Sequence, residues 1–469
     1  MAVALALGLS GPAAALIRAQ ETPPASGKPA AGNKSPEGAA QSTSHPIHFP
    51  IQQYKLENGL RVVFSEDHSA PVYAISVTYD VGSRNEHPGR TGFAHLFEHM
   101  MFQGSENVGK GEHFILVLNN GGGMNGTTNE DRTNYFEALP ANQLDLGIFL
   151  EADRMRSLAV NQANLDNQRK AVQEERRLGI DNQPYGLTYE ALSEILYDNF
   201  AYKHSVIGSM ADLNAATVED VKDFFRLYYA PNNAVLTLVG DFKPEEALAK
   251  IKKYFGGLSS QPTPPRPDLS DPPQTVERRR KMEDNFAQAP LLEVLYKAPP
   301  ANVPDWFAVQ MLSGVLGGGQ SSRLYQKLVK EKELAVNVET DLEERPGPSP
   351  FQIEVTLRPG GDFAAVEKIV QEEIERLQTK PVAAWELEKV RLTSRRRRTQ
   401  RLRSSLFRAV VIGEYAAKFG DPNRINTYEP DLAKVTAEDI EHAVQKYLGE
   451  KQRCVIETSP KPASAGGAQ

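Results

Sequence analysis

Residues 92–104 read GFAHLFEHMMFQG, and this stretch decides the fold. The apolar spacing around it predicts a helix over 89–102. At about 100° per residue, His95, Glu98, His99 and Phe102 gather on one side, and Phe93, Leu96, Phe97, Met100 and Met101 on the other. The apolar side can pack into a core while the other lines a cavity. Two imidazoles at i and i+4 can reach one metal ion, each at the roughly 2.0–2.1 Å that zinc requires. Glu98, three residues after His95, is placed to take a proton from metal-bound water rather than to ligate. The order H-x-x-E-H is the inverse of the usual zincin motif. The bland alternative is a helix with a solvated polar face, but such a face carries Lys and Arg more often than two His, and the chain has only nine His.

Before this helix, 54–64 reads as two short strands around an Asn-Gly turn, and 72–81 as a β-rich run. After it, Gly-Gly-Gly at 121–123 opens a second hairpin, with its turn at 129–131 and return strand at 133–139. Residues 144–179 follow a helical pattern, and 234–239 forms a strand. The sequence LSSQPTPPRPDLSDPPQT at 258–275 is too rich in proline for regular structure and reads as a linker. Beyond it come a strand (291–296), a helix (306–316), a strand (351–357), further helices and a closing strand (453–457). Together these predict an α+β fold of two homologous domains, 49–257 and 276–459, each an antiparallel-rich mixed sheet packed with helices.

An internal repeat supports that duplication. Thr217-Val218-Glu219-Asp220-Val221 precedes Tyr228, and Thr436-Ala437-Glu438-Asp439-Ile440 precedes Tyr447 at the same spacing, 219 residues on. Each Thr is also an ordinary helix N-cap. At this offset His95 falls on Gly314, so the second half should lack the metal site and one chain should carry one.

The remaining composition narrows the function classes. A net charge of −7 argues against nucleic acid or an anionic membrane as partner. Cys454 is the single cysteine, so a metal site must draw on His, Asp and Glu. Residues 1–19 are apolar and small, too short to remain as a membrane span, and read as a signal peptide, with Ala13-Ala14-Ala15 resembling a cleavage site. Residues 20–48 read as a disordered Pro/Ala/Ser-rich tether and 460–469 as a disordered tail. This predicts an exported, periplasmic protein.

With these residues in view, the chain resembles the pitrilysin/insulinase family of zinc peptidases, the inverzincins. The resemblance rests on the 56–63 hairpin, on 92–104, on Asn125-Gly126-Thr127-Thr128, on Asp181-Asn182-Gln183-Pro184 and on Ser321-Ser322-Arg323-Leu324-Tyr325. Its two-domain length is similar to the bacterial branch and the mitochondrial processing peptidase beta subunit. The resemblance implies one Zn2+ per chain, bound by His95, His99 and a downstream glutamate. That glutamate is Glu175, 76 residues after His99, with Glu174 as the alternative. Glu98 would be the general base of a metalloendopeptidase. A second glutamate that many members carry seven residues before the third ligand is Gln168 here, able to hydrogen-bond without charge.

The resemblance further implies that 123–128 is an edge strand pairing with substrate backbone through Asn125, Gly126 and Thr127. It makes the chain half of a clam-shell chamber, closed by an identical chain or a paralogue without zinc ligands. Arg323 and Tyr325 match the substrate-binding pair of relatives by residue type only, and helix packing is the other reading of Arg323-Leu324-Tyr325. Arg395-Arg396-Arg397-Arg398 reads by default as a solvated or interface face. Three functions remain open: a peptidase of broad specificity for unfolded peptides, a maturation protease dedicated to one substrate, and a non-catalytic assembly subunit. The last predicts lost ligands.

Overall fold

The computed structural model describes residues 47–461. The signal-peptide reading of 1–19, most of the tether and most of the tail lie outside the described residues. In the first sheet, β1 (Gln52–Lys55) and β2 (Arg61–Glu66) form the Asn-Gly hairpin, with Gly59 taking the left-handed φ of 89° that the turn needs. With β3 (Val72–Tyr79), β4 (Gly123–Thr128), β5 (Thr133–Pro140) and β6 (Ala234–Gly240) the order is β1-β2-β6-β3-β5-β4. The AVLTLVG sequence of β6 is buried at every residue, which suits a strand inside the sheet, parallel to β2 and antiparallel to β3. The GMNGTT sequence of β4 has little to pack, and β4 lies at the edge, paired only with β5.

The second sheet contains β7 (Arg278–Asp284), β8 (Leu291–Ala298), β9 (Ala335–Leu342), β10 (Ser349–Leu357) and β11 (Cys454–Pro460), in the order β7-β11-β8-β10-β9. Both sheets are antiparallel apart from one parallel pair each, β2 with β6 and β7 with β11. The α+β expectation of two mixed sheets packed with helices therefore holds. The two strands absent from the sequence reading, β7 (RRRKMED) and β9 (AVNVETDL), are both edge strands. An edge strand needs no continuous apolar run, so periodicity does not announce it.

Four helices position the site. Helix α1 (Phe93–Met100) is shorter than 89–102 because Gly92, at φ 83°, caps it in the left-handed conformation. Its Phe93, Leu96, Phe97 and Met100 enter the core beneath the first sheet, as the face analysis expects. The helical run at 144–179 is broken at 157–161, after which Asn161 caps α2 (Gln162–Arg176) by accepting from the backbone of Asn164. A π-helical turn, Arg177–Asp181, follows. The helices after the repeat's threonines, Val218–Tyr228 and Ala437–Tyr447, both open with capping boxes. The closing acids are Asp220 and Asp439, not the glutamates beside them.

Helices α3 (Gly186–Leu196) and α4 (Ser405–Phe419) begin at the same 219-residue offset. Each packs on the other half's sheet. Ala409, Ile412, Tyr415 and Ala416 of α4 cover Val63, Ala74, Val235 and Val239 of the first sheet. Ala191, Ile195 and Leu196 of α3 cover Leu295, Cys454 and Ile456 of the second. The exchange is close: a Cβ at Gly413 would lie 2.6 Å from Thr78 Oγ1. The 258–275 segment has no regular structure but is tied down. Asp271 accepts from the backbone N–H groups of Asp198 and Asn199, and the Asn199 amide donates to the carbonyls of Asp268 and Ser270. Among the described residues, no helix is long and apolar enough to cross a membrane.

Candidate metal centre

The N-terminus of α1 is anchored before its side chains meet anything. Glu86 accepts from the backbone N–H groups of Gly92 (2.9 Å) and Ala94 (2.8 Å), and His204 Nε2 lies 3.0 Å from the same carboxylate. A carboxylate at a helix N-terminus is favoured by the helix dipole and by the free N–H groups there. Gly92 also meets Gly208 face to face: a Cβ at Gly92 would lie 2.5 Å from the Ile207 carbonyl oxygen. Gly92→Ala is therefore expected to cost about 2–4 kcal/mol, combining left-handed strain with a backbone clash. Chemical denaturation measures this, and a loss below about 0.5 kcal/mol would contradict it.

From α1, His95 and His99 project together, with ring centroids 4.8 Å apart. Helix α2 brings Glu175 against both. Its Oε1 lies 3.7 Å from His95 Nε2, and its Oε2 lies 3.3 Å from His99 Nε2. Two ligands at about 2.0–2.1 Å from one tetrahedral ion lie roughly 3.4 Å apart, so these separations fit a shared zinc. Glu174 points elsewhere, to Arg177 at 3.0 Å. Arg176 fixes the end of α2 by forking Glu190 of α3 (2.6 and 2.8 Å) and donating to the Gly208 carbonyl (2.9 Å). Gln168 Nε2 donates to Asn167 Oδ1 at 2.7 Å, and the residue lies near enough to His99 to help raise its pKa.

His95 is already in the neutral form that a metal ligand needs, whereas His99 must give up a proton to bind. Burial, with a smaller effect from His99, pushes His95 down to about 4, so its imidazole is neutral at pH 7. Its Nδ1 is buried with no hydrogen-bond partner. Burial also opposes charge on His99, but Glu175, Glu98 and Gln168 outweigh it and raise the pKa. Burial resists ionisation of Glu175, and its hydrogen bond with His99 overcomes this and holds its carboxyl below the usual range. Three donors thus converge, two imidazole nitrogens and a carboxylate, and this set fits zinc.

Glu98 lies beside them, 7% exposed, with its pKa raised chiefly by burial. Thr128 Oγ1 donates to Glu98 Oε2 at 2.6 Å. A Cβ at Gly126 would lie 3.1 Å from both Glu98 Cγ and Tyr135 Cδ1, so glycine lets β4 approach this carboxylate without pressing on either side chain. By strand alternation Gly126 and Thr128 share the face toward α1, while Asn125 and Thr127 face away. Asn125 Oδ1 accepts from the Gly126 backbone, and Thr127 Oγ1 donates to Asn134 Oδ1 at 2.7 Å. Thr128 stands in the quoted motif but was given no role there, although the same period of two contains it.

The position offset from His95 is closed. Gly314 lies in the helix Asp305–Gly317, where a Cβ would meet Val390 Cγ1 at 2.5 Å. Arg323 forks Glu386 at 2.8 and 2.7 Å, which favours the helix-packing reading of that residue. Arg398 of the arginine run donates to the Ile425 carbonyl and lies over Tyr428. A second buried group, His113, Glu137 and Glu151, already holds a cation. Arg154 Nε donates to Glu151 at 3.0 Å, and its guanidinium lies 4.4 Å over Tyr135. That makes it a paired ionic network in the core rather than an open site.

The family model for Insulinase (Peptidase family M16) matches residues 61–209, and that for the Peptidase M16 inactive domain matches 215–393. Zinc protease PqqE of Helicobacter pylori is 29% identical over 408 residues, covering 86% of this chain and 92% of its own length. The probable mitochondrial-processing peptidase subunit beta of Arabidopsis thaliana is 24% identical, covering 60% of this chain and 54% of its own. The crystal structure of a protease from Helicobacter pylori superposes with a TM-score of 0.84 at 28% identity, covering 88% of this chain and all of that one. The first model takes in His95, His99 and Glu175 and the second most of the half without metal ligands, and the chain belongs to the insulinase family of peptidases.

Proposed function

We propose that this chain is a zinc metalloendopeptidase acting on extended peptides or small unfolded polypeptides. The observation that carries this is the meeting of His95, His99 and Glu175, at 3.3 and 3.7 Å, beside the buried carboxylate of Glu98. Bound there, zinc would supply Lewis-acid polarisation of the scissile carbonyl and an acidified water. Neutral His95 and His99 and the ionised Glu175 would hold it, leaving one position open. Glu98 accepts the proton of the attacking water and returns it to the leaving amine. Thr128 holds the Glu98 carboxylate in place, and the edge strand β4 offers its backbone to a substrate.

The relatives' names support the protease and zinc parts of this reading. An exported, periplasmic location and a second chain closing a chamber, identical or a paralogue without ligands, complete the proposal. A dedicated maturation protease would use the same site on a single substrate. An assembly subunit is disfavoured, because such a role needs none of these four side chains.

The test is metal analysis of the purified chain with cleavage of an unstructured peptide. About one zinc per chain is expected, with activity abolished by a chelator and restored by zinc. Full activity in metal-free protein, or no zinc retained, would sink the reading.

A further inference from the structure

The turn that joins β4 to β5 is gripped at three successive residues, and two of the grips come from the second half of the chain. Glu130 accepts from Arg345 Nη2 at 2.7 Å. Asp131 accepts from Arg84 Nη1 and from Tyr202 Oη, both at 2.8 Å. Arg132 Nε donates to Glu414 Oε1 of α4 at 2.5 Å. The same Arg132 turns back on β4: its Nη1 donates to the Thr127 carbonyl at 2.9 Å and to Thr127 Oγ1 at 2.7 Å. The next residue, Thr128, carries the hydrogen bond to Glu98.

Arg345, Asp131 and Arg132 are buried, and Glu414 is 22% exposed. Arg345 is 3% exposed, Asp131 2% and Arg132 9%. Charge-assisted hydrogen bonds at such burial are strong and geometrically exacting. Without them β4 has little to hold it. It has two glycines and an asparagine in six residues, and one neighbouring strand. Both features weaken a strand. A template that orders an incoming peptide must itself be stiff, or ordering it will cost binding energy.

We infer that Glu414, acting through Arg132 and Thr127, is a positioning residue that braces the β4 edge for substrate. The half without metal ligands thus contributes to the working site within one chain. This rests on the metalloendopeptidase reading for its consequence in substrate binding, though the brace itself does not.

The experiment compares Glu414→Ala with Asp67→Ala in the full chain. Asp67 pairs with Arg408, so it also ties α4 to the first sheet, but beside β2, away from β4. In Glu414→Ala the KM for an extended peptide should rise about tenfold, with kcat within about threefold and zinc content unchanged. Amide exchange over 127–132 should quicken about tenfold. Asp67→Ala should do neither. Glu414→Gln, which keeps an acceptor for Arg132, should recover most of the loss. Adding Arg132→Ala to Glu414→Ala should cost little more, since both remove one coupled unit. Equal KM effects from Asp67→Ala would overturn the inference, because the effect would then be general docking of α4. Unchanged exchange and KM in Glu414→Ala would overturn it too. Wild-type protein that cleaves nothing would count against the metalloendopeptidase reading instead; exchange over 127–132 would still decide the brace, which stands if Glu414→Ala quickens it and falls if not.

Discussion

Glu98→Gln is expected to keep its zinc and lose about 10²–10⁴-fold in kcat. The amide is nearly isosteric and its oxygen can still accept from Thr128 Oγ1, so the packing against Gly126 survives. It cannot take up a proton, and no other carboxylate stands in for it: Glu175 is held against the two imidazoles and Glu174 faces Arg177. His99→Ala should behave differently, losing the metal along with the activity. Metal content and single-turnover cleavage, measured side by side, separate the two outcomes. Activity within tenfold of wild type in Glu98→Gln would remove it from the role of base.

The second large effect concerns the whole chain. Residues 47–257 and 276–461, produced separately, are each expected to fail to fold, because each leaves behind the helix that covers its sheet. Without α4, Val63, Ala74, Val235 and Val239 lose their cover, although each is at most 3% exposed in the chain. Uncovering three valines and their neighbours costs roughly 5–10 kcal/mol, comparable with the whole stability of a domain. Circular dichroism and limited proteolysis should show both pieces disordered alone and structured once mixed. A cooperative melt of 47–257 alone, near the wild-type Tm, would refute this.

Much of the site could be read from sequence, because helix geometry turns spacing into direction. The i, i+4 pair in α1 converges, and the apolar residues between them reach the core. What sequence left open was which glutamate of α2 meets the pair, since a one-residue shift swings a helical side chain by about 100°. Glu174 and Glu175 separate only once α2 is set against α1. The role of Thr128 went unseen because a threonine in a hairpin strand is unremarkable until its neighbour across space is known. The edge strands β7 and β9 were hidden by their polar sequences. The exchange of α3 and α4 was hidden more deeply: an amphipathic pattern says that a face is covered, not by which sheet.

That exchange bears on how a substrate could enter. The proline-rich 258–275 segment looks like the natural pivot between two lobes, yet it is pinned at Asp271, and the lobes interlock like clasped hands. Swinging them apart would tear α3 and α4 from their beds, so one chain moves as a single stiff shell. If a second chain closes the chamber as proposed, a mouth wide enough to admit a polypeptide would open along the seam between the two shells.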